Sequence, residues 1–238
     1  MPVIRRGDAL ISYAEHGSGF PVLALAPGGM RSAASFWPKM PWDPVARLAD
    51  RYRVITMDQR NAGDSTAPVT GEESWATYTA DQLAVLDHLG VDRCHVVGMC
   101  IGGPFILGLL RAAPARFARA VVLQSIGQDG NREAFHDMFA QWRSTKEAAH
   151  PEADAAAWDG YLRNLYDVPD VLFSVPTAAL PGIGAPMLVL QGDDQFHPRS
   201  ASRLIASSVP GARLVERWKE PEDLPAAAEE IAEFLAGA

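Results

Sequence analysis

The run Val96-Val97-Gly98-Met99-Cys100-Ile101-Gly102-Gly103 constrains this chain more than any other stretch. β-Branched residues lead into Gly-x-Cys-x-Gly, and Pro104-Phe105-Ile106-Leu107-Gly108-Leu109-Leu110 continues with helical apolar character. A strand that turns sharply into a helix, with a reactive side chain at the apex, is a nucleophile elbow. The apex of such a turn sits in strained backbone geometry, and a side chain larger than hydrogen two residues to either side would collide with the flanking strand and helix. Cys100 occupies the apex where serine is usual.

The remaining pattern fits a sheet that can carry such a turn. Leu10–Tyr13 and Val22–Leu25 read as an opening pair of strands, followed by Tyr52–Met57, His95–Val97, Ala120–Leu123, Pro186–Leu190 and Ala212–Val215. Most are continuous apolar runs, as parallel strands buried on both faces require. Helical patterns separate them. From Ser74 to Leu89, Leu83, Leu86 and Leu89 share a face and Gly90 stops the helix. Alternation of this kind predicts an α/β fold with a mostly parallel sheet flanked by helices. Between Gln128 and about Leu180 no strand is evident. Phe135, Met138, Phe139 and Trp142 have helical spacing there, as do Trp158, Tyr161, Leu162 and Leu165. Residues 128–180 are therefore expected to form a small helical cap between two parts of one core, 1–127 and 181–238.

With 238 residues the chain can bury a substantial core. Its formal net charge of -8 argues against a nucleic-acid-binding surface. No apolar run approaches the ~20 residues that span a bilayer, and polar residues follow the basic pair Arg5-Arg6 where a signal peptide would turn apolar. A cytoplasmic protein without membrane or nucleic-acid partners is expected. Cys94 and Cys100 are the only cysteines; on one strand they would stand ~20 Å apart, beyond disulfide reach. No metal-ligand spacing is present, and Gly98–Gly103 lacks the spacing of a dinucleotide loop, so neither metal nor cofactor is expected. Oligomeric state is not legible.

Taken together, the chain resembles an α/β-hydrolase over essentially its whole length. Leu25-Ala26-Pro27-Gly28-Gly29-Met30 resembles the family's glycine-containing oxyanion loop. Asp58-Gln59-Arg60-Asn61-Ala62-Gly63-Asp64-Ser65 resembles its Asp-x-Arg-Gly-x-Gly-x-Ser loop. Gly98–Gly102 is the elbow, and Leu190-Gln191-Gly192-Asp193-Asp194 resembles the strand that delivers the acid. The resemblance implies an eight-stranded α/β-hydrolase sheet. The chain departs from the family at two positions. The nucleophile is cysteine, as in dienelactone hydrolases. The family histidine, which follows the last strand, has no counterpart in Val215–Pro225, and no histidine follows His197.

A thiolate is the active form of cysteine, and a helix N-terminus stabilises it. The backbone N–H of Ile101 and one from the Gly28-Gly29-Met30 turn are the expected oxyanion donors. His16 reads as turn, His88 as helix, His95 as strand and His150 as loop. The candidate bases are His197, followed by Pro198 at a helix start, and His136 in the cap. The positive helix end is expected to keep His197 neutral. Asp194 aligns best with the family acid and Asp193 second, while capping of the helix start is the structural alternative for Asp194. Asp58 and Arg60 read as a loop-bracing network ahead of substrate contact. Lys219 reads as a solvated lysine ahead of a substrate-binding cation. Trp37, Trp42, Phe135, Phe139 and Trp142 could line an apolar pocket or simply pack.

The leading expectation is a hydrolase cleaving an ester, lactone or thioester of a small, partly apolar metabolite through an acyl-enzyme, with Cys100, His197 and Asp194 as catalytic residues and Gly28, Gly29 and Ile101 forming the oxyanion hole. An acyltransferase, lyase or cyclase on the same fold, or a ligand-binding member without catalysis, are the alternatives.

Overall fold

The computed structural model describes residues 1–237. Eight strands form one sheet: β1 (Val3–Arg6), β2 (Ala9–His16), β3 (Phe20–Leu25), β4 (Tyr52–Met57), β5 (Cys94–Met99), β6 (Phe117–Leu123), β7 (Met187–Leu190) and β8 (Arg213–Val215). Their spatial order is β1-β2-β4-β3-β5-β6-β7-β8. The pairs β1–β2 and β2–β4 are antiparallel and the rest parallel. The α/β-hydrolase architecture expected from the sequence is therefore present.

Two details differ from the sequence reading. The strands read as an opening pair, β2 and β3, do not pair, because β4 lies between them. In addition, β1 has no counterpart in the reading. It is an edge strand with Ile4 buried and both arginines exposed or half-buried, so it lacks the continuous apolar run of the inner strands.

Period-two alternation along the inner strands builds a core on each face of the sheet. Leu23, Leu25, Val96, Ala120, Val122, Met187 and Val189 face one side, with α2 (Trp75–His88), α3 (Gly102–Ala112) and α6 (Arg199–Ser208). Val22, Ala24, Val97, Met99, Val121, Leu123, Leu188 and Leu190 face the other, with α1 (Pro44–Leu48) and α7 (Leu224–Ala236). Ser74 caps α2 in a reciprocal capping box with Thr77, and Gly90 follows the helix at φ +64°.

Between β6 and β7 the chain forms α4 (Arg132–Ser144) and α5 (Ala155–Tyr166) and no strand. The inner faces of these helices pack as an aromatic cluster. Phe139 and Trp142 meet Tyr161, and Trp142 meets Trp158, all edge-on.

The parallel register decides where the site lies. Gly98 pairs with Leu25, Met99 with Leu123, Leu123 with Leu190, and Leu190 with Val215. The loops leaving β3, β5, β6, β7 and β8 thus all emerge at one carboxyl edge, where α/β sheets place their ligands.

Candidate active site

Cys100 follows β5 directly and adopts φ +63°, a left-handed conformation that costs a non-glycine residue energy. The turn is held by hydrogen bonds on both sides. Cys100 N donates to Leu123 O at 3.0 Å, and Cys100 O accepts from the N–H of Gly103 and of Ile126, each at 3.1 Å. The glycines are sterically required. A Cβ on Gly98 would lie 2.8 Å from Gly102 O, one on Gly102 would lie 2.8 Å from Leu25 O, and one on Gly103 would lie 2.1 Å from Ser125 Oγ. Strand, strained apex and close-packed helix are those of the elbow read from the sequence.

His197 arrives from the loop between β7 and α6. Its Nδ1 lies 2.7 Å from Asp194 Oδ1 and 2.8 Å from Oδ2. Asp194 Oδ1 also accepts from the backbone N–H of Phe196 and His197, at 3.0 and 3.1 Å. Asp194 thus braces its own loop and holds the imidazole at once; it does not cap α6, where Pro198 is the N-cap residue. The buried Nε2 of His197 has no nitrogen or oxygen partner among the described residues. The group beside it is the Cys100 thiol, close enough for each to shift the other's titration.

Burial opposes a charge on both groups, but their pairing outweighs it. For Cys100 the adjacent imidazolium, together with the backbone N–H groups of Gly28 and Ile101, brings the thiol below its ordinary value. For His197, the thiolate and then Asp194 push the imidazole up to about 9. Burial likewise works against the Asp194 carboxylate, yet its bonds from His197 and Phe196 hold it below its usual range. Each group thus favours the other's charged form, and an imidazole pushed up to about 9 runs against the expectation of a neutral His197. The two adjacent anions outweigh the helix terminus.

The backbone N–H groups of Gly28 and Ile101, two of the three expected oxyanion donors, lie close enough to Cys100 to help lower its thiol. Gly29 lines the same cavity, under Met138. Gly28 and Gly29 both have positive φ, 119° and 57°, which lets this turn pass close to the apex.

The other candidates lie elsewhere. His136 Nε2 meets Asp167 Oδ1 at 2.7 Å on an exposed face of α4. Asp193, the second candidate acid, is paired with Lys219, which is accordingly neither free in solvent nor aimed at the cavity. In the stretch between β8 and α7, the indole of Trp218 is buried and donates to Gln191 O at 2.8 Å. Asp58 braces loops, accepting from Ala34 N at 2.8 Å and Asp64 N at 2.9 Å. Arg60 does not join it; it forms a two-point pair with buried Asp81, at 2.7 and 3.0 Å. The bracing read from the sequence is present as two separate contacts.

A cavity of about 210 Å³ opens over Cys100 and His197, walled by Ile126, Phe135, Met138, Tyr166 and Phe196. Of the five aromatics expected as pocket or packing, only Phe135 reaches it. Trp37 and Trp42 sit in the core on the α1–α7 face, and Phe139 and Trp142 pack within the α4–α5 cluster. Ile126, Tyr166 and Phe196 were not singled out from the sequence. Ile126 and Phe196 stand on connections, where no periodicity marks a facing side chain, and Tyr166 is the last residue of α5. No group of His, Cys, Asp and Glu among the described residues could hold a metal ion. No helix there is long and apolar enough to cross a membrane.

The model of the alpha/beta hydrolase fold family matches residues 21–168. The chain belongs to that family. A relative of this α/β-hydrolase from Azorhizobium caulinodans, named "Putative carbamate hydrolase RutD", is 29% identical over 243 residues, covering 91% of this chain and 89% of the relative. The enol-lactonase of Burkholderia xenovorans LB400 superposes with a TM-score of 0.73 at 20% identity, covering 99% of this α/β-hydrolase and all of that chain. The esterase EaEST of Exiguobacterium antarcticum gives 0.74 at 19% identity, with 99% of each chain covered. Both structures share the fold.

Proposed function

We propose that this α/β-hydrolase cleaves esters, lactones or thioesters of small apolar molecules through a thioester on Cys100. One observation carries the reading. The imidazole held by Asp194 at 2.7 and 2.8 Å shares a cavity with a strained elbow cysteine whose thiol it acidifies.

The chemistry follows from the resting ion pair. The Cys100 thiolate attacks the carbonyl carbon, and the N–H groups of Gly28 and Ile101 stabilise the resulting oxyanion. The imidazolium of His197 donates its Nε2 proton to the departing oxygen or sulfur. Acylation removes the thiolate that had kept the imidazole protonated, so His197 is now neutral. It accepts a proton from water as the hydroxide adds to the thioester. Collapse of that intermediate expels the acid and restores thiolate and imidazolium. The histidine is thus an acid first and a base second, and Asp194 supports its charged form throughout.

Three further observations support this reading. The cavity walls are apolar, which suits an uncharged acyl group. The RutD relative is named for carbamate hydrolysis, so carbamates join the candidate substrates. The α4–α5 excursion, residues 128–180, acts as the cap, contributing Phe135, Met138 and Tyr166 to the cavity.

Incubation with short-chain p-nitrophenyl esters, followed by intact-mass measurement, tests the proposal. Turnover with a transient acyl adduct, abolished in Cys100→Ala, is expected. A stable adduct without turnover would instead favour acyl transfer to another acceptor. Absence of both adduct and thiol alkylation would leave only ligand binding.

A further inference from the structure

Because Asp194 and His197 belong to one loop, three residues apart, Asp194 sets the ring's orientation but not its distance from Cys100. The two move together. Some contact from outside the loop must hold the pair against the elbow. His197 itself has no other nitrogen or oxygen partner among the described residues.

We propose that Asn131 is the positioning residue that seats the Asp194–His197 loop against Cys100. Asn131 stands just before α4 and is 9% exposed. Its Nδ2 donates to Gln195 O at 2.6 Å, inside the catalytic loop, and to Gly127 O at 3.0 Å, on the segment leaving β6. Its Oδ1 accepts from Asp129 N at 2.9 Å. The amide therefore spends both donor hydrogens tying the loop to the segment leaving β6, whose Ile126 N–H is itself bonded to Cys100 O at 3.1 Å. The chain of contacts runs from Gln195 through Asn131 to the elbow.

The same seam is closed at two further points. Ser200 Oγ donates to Asp129 Oδ2 at 2.8 Å. Gly127 lies so near α6 that a Cβ there would stand 2.5 Å from Ala201 Cβ. Asn131 differs from both in gripping the loop between Asp194 and His197. A buried side-chain amide also suits the task chemically. It offers two donors and an acceptor with no charge of its own, so it leaves the ion pair undisturbed.

The test is Asn131→Ala, read by thiolate absorbance at 240 nm against pH and by iodoacetamide alkylation. The titratable groups facing Cys100 are His197 and Tyr166, with Asp194 behind His197. Expected is a rise of about one pH unit in the Cys100 titration and an alkylation rate near pH 6 lowered about tenfold, with a cooperative melt retained. Asn131→Leu fills a similar volume but loses both donors, and should show the same thiol shift. Ser200→Ala, which loosens the seam without touching Gln195, should leave the titration in place. If Asn131→Ala and Asn131→Leu lower the melting temperature yet leave the thiol titration unmoved, the residue is only structural and the proposal is overturned. The readout needs no substrate, so it stands apart from whether the protein hydrolyses anything.

Discussion

Asp194 holds His197 by both carboxylate oxygens, at 2.7 and 2.8 Å from Nδ1, from three residues earlier on the same loop. A carboxylate and an imidazole brought together this locally need no second loop to meet. Orientation of the imidazole is set within one turn of chain, its charge also by Cys100, and the segment after β8 is left to packing, with Trp218 buried there.

The charge of Asp194 helps push the His197 imidazole up to about 9. Asp194→Asn removes that charge, so the imidazolium should lose its proton at lower pH, nearer the ordinary ~6.5. Acylation requires imidazolium to protonate the leaving group. The alkaline limb of the acylation rate should therefore move to lower pH, measured with a p-nitrophenyl ester under single-turnover conditions. An unmoved limb would mean that Asp194 only braces its loop.

His197→Ala removes both the counter-charge and the proton donor. Acylation should fall by ~10²-fold or more, and the Cys100 titration should rise toward ~8.5. Stopped-flow kinetics and alkylation across pH measure the two effects separately. Wild-type rates in this variant would remove His197 from the mechanism.

At Gly102 the added methyl of Gly102→Ala would meet the Leu25 carbonyl oxygen at 2.8 Å, a backbone atom that cannot swing aside. Overpacking of this kind costs about 1–3 kcal/mol, or several degrees of melting temperature at this chain length. Calorimetry checks it against Gly182→Ala, where no atom lies within 4 Å of the new Cβ and little change is expected.

Met138 covers the Gly28–Gly29 turn, its Sδ 3.0 Å from where a Cβ on Gly29 would stand, and walls the cavity. Met138→Ala should lengthen the apolar space. At ~0.8 kcal/mol per methylene buried, each acyl carbon newly accommodated should raise kcat/KM by about fourfold relative to wild type. A series of p-nitrophenyl esters from acetate to octanoate reads the change. An unchanged chain-length profile would show that acyl groups do not bind toward Met138.

Much of the architecture was legible because its signals are short-range. The apolar runs of β3 to β7 report burial on both faces, and Gly98 and Gly102 report a steric requirement at single positions. β1 escaped because an edge strand with one inward apolar residue carries little pattern. The separate roles of Phe135 and Phe139 were not readable either. Both follow the helical period of α4, and only the neighbours met by each ring decide which lines a cavity and which packs against Tyr161. The protonation of His197 was misread for a related reason. The local helix start was visible, whereas the Cys100 thiol beside the ring follows a strand far away in sequence.

The sequence by itself determined the fold class, through alternation along the whole chain, and the strained turn at Cys100, and it put Asp194 within reach of His197, three residues away. Only the tertiary structure decided that these parts meet. Met99, Leu123 and Leu190 share one parallel register, so the ends of β5, β6 and β7 stand at the same edge of the sheet. That alignment places His197 beside a cysteine 97 positions earlier in the chain. It also brings Asn131 against Gln195. Strand pairing is a cooperative property of the whole sheet, and no local pattern near Cys100 or His197 encodes it.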